Sequence, residues 1–98
     1  MKIENQVSCY DNGGKSLDRY TVIYNEHPLT RKIITHRKAM QGYNAVSMDH
    51  RPSYPFSGIC QHCVAVKGRH LGKRILFENL PFDCQTVVKN DLKAYSGL

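Results

Sequence analysis

Arg19-Tyr20-Thr21-Val22-Ile23-Tyr24 is the stretch on which the fold turns. Its β-branched and aromatic residues fit a pleated, half-buried surface better than a helix, where they lose side-chain freedom. Asn25-Glu26-His27-Pro28 follows, a run of turn formers ending in a residue that cannot donate to a ladder, so the strand is expected to stop there. Upstream, residues 6–10 alternate as a short strand with Val7 and Cys9 inward. Asp11-Asn12-Gly13-Gly14 then offers the positive-φ positions that a reversal demands.

Residues 32–36 and 44–48 are expected as further strands. Arg37-Lys38-Ala39-Met40-Gln41-Gly42 lies between them and also suits one helical turn. Residues 49–58, with Pro52, Pro55, two serines and a glycine, read as a surface loop carrying Tyr54 and Phe56. Residues 59–66 read as a strand, 68–72 as a turn and 74–77 as a short extended piece. The period then changes. Pro81 suits a first helical position, Asp83 complements a helix N-terminus, and Cys84, Val87, Val88, Leu92 and Tyr95 recur at helical spacing before Gly97. The sum is an α+β fold: a small, mostly antiparallel sheet with a C-terminal helix packed on it. A chain of 98 residues has room for a single domain, 1–98, and its 41% hydrophobic content suffices for a core.

Charge is unevenly placed. Residues 31–74 hold nine Lys/Arg against the lone Asp49, together with four of the five histidines, and the flanking segments are each slightly acidic. Clustered charge builds a local potential that dispersed charge does not, so an anionic partner is expected. The first residues, Met1-Lys2-Ile3-Glu4-Asn5-Gln6, carry no apolar run, and no window approaches the roughly 20 apolar residues of a membrane span. The expectation is a soluble cytoplasmic protein with no membrane partner and with reduced thiols, Cys9 and Cys84 belonging to the core.

Several chemistries compete for the basic middle. Cys60 and Cys63 have the spacing of a zinc knuckle but lack a second pair, and on a regular strand they point to opposite faces. No cofactor is therefore expected, with zinc on Cys60 and Cys63 as the alternative. A Cys/His nucleophile has no recognisable signature here. Gly68-Arg69-His70-Leu71-Gly72-Lys73-Arg74 invites phosphate contact, because glycine admits close approach and the cations can bond phosphate oxygens. It is not a P-loop: three residues separate the glycines where that motif has four, and Arg74 replaces its Ser/Thr. His62 and His70, with Asp18 in reach, would form an acid/base pair if the chain is an enzyme. The basic middle with Tyr43, Tyr54 and Phe56 also matches the mixture of phosphate contact and stacking used on single strands and RNA.

Tyr10-Asp11-Asn12-Gly13-Gly14, Asp18-Arg19-Tyr20-Thr21-Val22, Gln61-His62, His70-Leu71-Gly72-Lys73-Arg74-Ile75 and Leu80-Pro81 with Asp83-Cys84-Gln85 together span most of the chain. In this pattern the sequence resembles a family of small uncharacterised proteins of bacteriophages and prophages. The resemblance implies a bacterial cytoplasmic setting and a candidate site of Gln61, His62, His70 and Lys73 with Asp18 and Arg19, and it supplies no substrate. The chain departs from the family where Cys60 and Cys63 replace small residues, which weighs against zinc.

The reading that follows is a binding module rather than an enzyme. Gln61, His62, Arg69, His70, Lys73, Arg74 and Arg19 are expected to hold nucleic acid or another phosphate-bearing or acidic partner. A small hydrolase or transferase using His62 and His70, and a protein that targets an acidic host factor, are the alternatives.

Overall fold

A computed structural model describes residues 3–35, 37–55 and 58–96. One turn of helix, α1 (Ile3–Gln6), leads into β1 (Val7–Asp11), β2 (Tyr20–Thr35), β3 (Lys38–Met48), β4 (Cys60–Val66), β5 (Lys73–Ile75) and the C-terminal helix α2 (Phe82–Ser96). The strands form one sheet in the order β4-β3-β2-β1-β5, every neighbouring pair antiparallel. The expected α+β architecture is what the chain adopts.

Alternation sorts the side chains. Cys9, Val22, Val46 and His62 stand in one row across four strands, and Tyr20, Met48 and Cys60 in another across three. Val7, Cys9, Tyr20, Val22, Tyr24, Val46 and Met48 on this side are buried under Cys84 and Val88 of α2, with Phe77 and Leu80 from the preceding turn. The backbone N–H of Gln85 donates to the carbonyl of Pro81, so the helix begins one residue later than Pro81. Burial pushes the Cys9 and Cys84 thiols up to about 12, as core cysteines require.

The opposite face carries smaller groups: Ser8, Thr21, Ala45, Ser47, Cys63 and Ala65, with Tyr10 and Ile23. It too is buried, and the register shows by what. Val66 lies beside Gly42 at one edge, whereas Lys73 lies beside Asp11 at the other edge, four strand spacings away and six residues along. On a flat sheet these points would be about 28 Å apart. The seven Cα steps between them reach about 25 Å fully extended, and a 3-10 turn at Arg69–Leu71 shortens that. The sheet must therefore curl. Because Leu71 packs on the Tyr10/Ile23/Ala45 cluster, residues 67–72 form a strap across the inside of the curve. Gly72, at φ 107°, ends the strap where a Cβ would run into the Asp11 carbonyl oxygen.

Two sequence expectations are overturned. β2 does not stop at Asn25-Glu26-His27-Pro28 but runs on to Thr35, accommodating Pro28 where the pairing with β3 slips twice. Residues 37–42 form no helical turn: β3 starts at Lys38, with Thr35 opposite Lys38 and Arg37 at φ 65°. β1 ends beside Tyr24 and β4 ends beside Gly42. Residues 29–35 and 38–41 consequently pair only with each other, as a two-stranded ribbon beyond the five-stranded body. Phe56, expected in the surface loop, and His36 and Gly97, expected at strand and helix ends, lie outside the described residues.

Candidate nucleic-acid interface

The curled sheet divides the residues expected to act together. Gln61 and His62 are sequence neighbours on β4 and so face opposite ways. Gln61 shares a row with Ser47, Thr21, Tyr10 and Arg74 on the strap side, while His62 shares the helix side with Val46. His62 Nε2 lies 2.9 and 3.0 Å from the two carboxylate oxygens of Asp91 on α2. The Tyr24 hydroxyl donates to the same carboxylate, Tyr95 packs edge-on against Tyr24, and His27 stacks on Tyr95 at 4.0 Å. Burial first, and then the Asp91 hydrogen bond, holds the Tyr24 phenol far above its ordinary range. The group clamps helix to sheet.

His70 sits on the strap over the other face, so His62 and His70 do not share a surface. Asp18 is taken up by the turn before β2, where its carboxylate accepts from the Ser16 hydroxyl at 2.7 Å. The geometry thus does not assemble the acid/base trio of His62, His70 and Asp18. Cys60 lies on the helix side and Cys63 on the strap side, 3.6 Å from the Ser47 hydroxyl. The two thiols cannot share one ion, and among the described residues no three His, Cys, Asp or Glu side chains are placed to hold a metal. Burial, with Asp91 and Asp49 nearby, raises the Cys60 thiol and keeps it protonated, the opposite of what a nucleophile needs.

The cations divide in the same way. Arg19 Nε and Nη2 bond the two Asp11 oxygens at 2.7 and 3.1 Å. This guanidinium, with help from the Gly13 amide and from Lys73, holds the Asp11 carboxyl below its ordinary range. Arg19 is therefore a clasp on the 11–19 turn, and Lys73, the cross-strand neighbour of Asp11, adds a weaker charge effect. Arg74 lies over the Tyr10 ring and Lys67 over the Tyr43 ring, with cation-to-centroid distances of 5.7 and 4.8 Å. Arg69 and His70 are exposed on the strap.

The ribbon supplies cations that the sequence reading left out of the site. Arg31, Lys32, Arg37 and Lys38 are all exposed, and no Asp or Glu occurs from residue 27 to residue 48. The ion pairs among the described residues are Arg19–Asp11 and His62–Asp91, so none of the four ribbon cations has a carboxylate partner. Lys32 donates to Gln41 Oε1 at 3.3 Å, placing Lys32 and Gln41 on one ribbon face, which alternation along β3 continues into Tyr43 and the strap. Lys32 thus shares its face with the strap, whereas Arg31 and Lys38 stand on the opposite face of the ribbon and Arg37 at its tip. The signal available in sequence was the acid-free run around Arg37; its strand pairing was not.

No protein-family model matches the chain, and no curated protein or solved structure matches it. Among the described residues no helix is long and apolar enough to cross a membrane.

Proposed function

We propose that the protein is a nucleic-acid-binding module that contacts phosphates through its cationic ribbon, with the strap as a second contact. The observation that supports this reading is the self-paired ribbon carrying Arg31, Lys32, Arg37 and Lys38 with no carboxylate to neutralise them. A two-stranded ribbon on its own is marginal in water, and four cations side by side repel one another. Both costs are offset when phosphates are drawn between the charges and counterions leave. Arg69, His70 and Lys67 extend the track; Arg19 and His62, tied to Asp11 and Asp91, drop out of it. A bacteriophage or prophage origin and action in the bacterial cytoplasm belong to the same proposal.

The test is a titration of labelled oligonucleotides at several salt concentrations. Binding should weaken steeply with salt, and replacing Arg31, Lys32, Arg37 and Lys38 together with alanine should reduce the log–log slope by about 3 to 4. Absence of binding at low salt, or indifference to the fourfold replacement, overturns the reading. A single host protein retained after nuclease treatment would put an acidic protein partner in its place.

A further inference from the structure

We infer that the nucleic acid is double-stranded DNA, and that Ile34 enters the minor groove as a wedge between neighbouring base pairs and kinks the duplex. The inference rests on the nucleic-acid reading and deepens it.

Single strands are held by stacking bases on exposed aromatic rings. The ribbon has no Phe, Tyr or Trp between Tyr24 and Tyr43. On the strap side Tyr10 is buried and Tyr43 is half-buried beneath Lys67. A stacking platform is therefore missing from the ribbon and the strap; the exposed Tyr54 ring, under Arg51, belongs to the loop after β3. Reading adenine in a groove calls for an uncommitted amide, and the ribbon's one amide on this face is not free. Gln41 Nε2 donates to the carbonyls of Leu29 and Gly42 at 2.9 and 2.8 Å, and its Oε1 accepts from Lys32. What the face offers instead is shape and an apolar tip.

Ile34 is 72% exposed and stands opposite Ala39, so a four-carbon side chain rises over a methyl group next to the Lys32/Gln41 pair. Its neighbour Ile33 is turned the other way, with Leu29, over Gly42, where a Cβ would come within 2.5 Å of Ile33 Cδ1 and 3.0 Å of Leu29 Cδ1. One isoleucine thus anchors the ribbon and the next is presented outward. Past it, Arg37 occupies a left-handed backbone position that glycine or asparagine would adopt at lower cost. A cation is kept at the tip against that cost. An apolar side chain with Lys32 on its own face and Arg37 beyond it at the tip is the arrangement that architectural proteins insert between base steps, unstacking them while cations hold the adjacent phosphates.

The experiment compares intact duplex DNA, the same duplex with a central nick, and single strands, with end-labelled energy transfer reporting bending. The wild-type protein should bend the intact duplex and prefer the nicked one by roughly tenfold, because the unstacking cost is already partly met there. Ile34→Ala should abolish both the bend and the preference while keeping the salt dependence, and Ile34→Phe should retain them. Circular dichroism of Ile34→Ala, unchanged because the side chain is on the surface, confirms that the fold is intact. Equal binding of nicked and intact duplex without bending overturns the wedge and leaves the nucleic-acid reading standing. Preference for single strands overturns the duplex assignment. Absence of all binding overturns both.

Discussion

β2 is one continuous strand living in two environments. Its first five residues, Tyr20, Thr21, Val22, Ile23 and Tyr24, are all buried between α2 on one side and the strap on the other. Beyond the slip at Pro28 the same strand has only β3 for company, and Thr30, Arg31, Lys32 and Ile34 face solvent. The difference shows that strand pairing and core formation are separable here: the body is held by burial on two faces, the ribbon by backbone pairing and a small contact at its base.

The two halves should answer mutation oppositely, most clearly at their isoleucines. Ile23→Ala, at a fully buried site between Ser8 and Ala45, should lower stability by about 2–5 kcal/mol in chemical denaturation. Gly72→Ala tests the strap: a left-handed backbone position and the approach to Asp11 should together lower stability by about 2 kcal/mol or more. Asp91→Ala tests the helix clamp, leaving the buried Tyr24 hydroxyl without its acceptor at about 1–3 kcal/mol.

The Arg19–Asp11 clasp should contribute less than any of these, because the guanidinium is exposed to solvent. Its sign follows from the depressed Asp11 carboxyl. The contribution is present above the ordinary aspartate value of about 3.9 and is lost as pH falls through the lower folded value. Asp11→Asn should therefore reduce stability at neutral pH and converge on the wild type in acid, read from thermal melts across pH. Smallest of all, Ile34→Ala should shift stability by no more than about 0.5 kcal/mol. A large loss there would mean that the ribbon belongs to the core after all, and the contrast between the halves of β2 would collapse.

Much of the body was legible from sequence. Tyr20 to Tyr24 has strand composition, and Cys84, Val87, Val88 and Leu92 repeat at helical spacing after Pro81, so local preference and tertiary structure agree. The ribbon was not legible, because there they conflict. Asn25, Glu26 and Pro28 look like an ending, and Lys38, Ala39, Met40 and Gln41 are good helix formers. Only pairing with residues 32–35 makes them a strand, and that partner cannot be read locally. In the same way the density of cations was visible, but the carboxylates that occupy some of them were not. Asp91 reaches His62 across 29 residues, removing from the candidate site a histidine that adjacency with Gln61 had suggested. The opposed directions of Cys60 and Cys63, by contrast, follow from strand alternation alone.

The strap is to the sheet as a string is to a bow. Since the chain from Val66 to Lys73 is shorter than the flat distance it would have to cover, the depth of the curve is governed by how many residues the string contains. Shape is thus written in length as well as in side-chain identity. Inserting or deleting residues in 67–72 would open or deepen the hollow without altering any strand residue that lines it, and would re-aim the ribbon that projects from its rim.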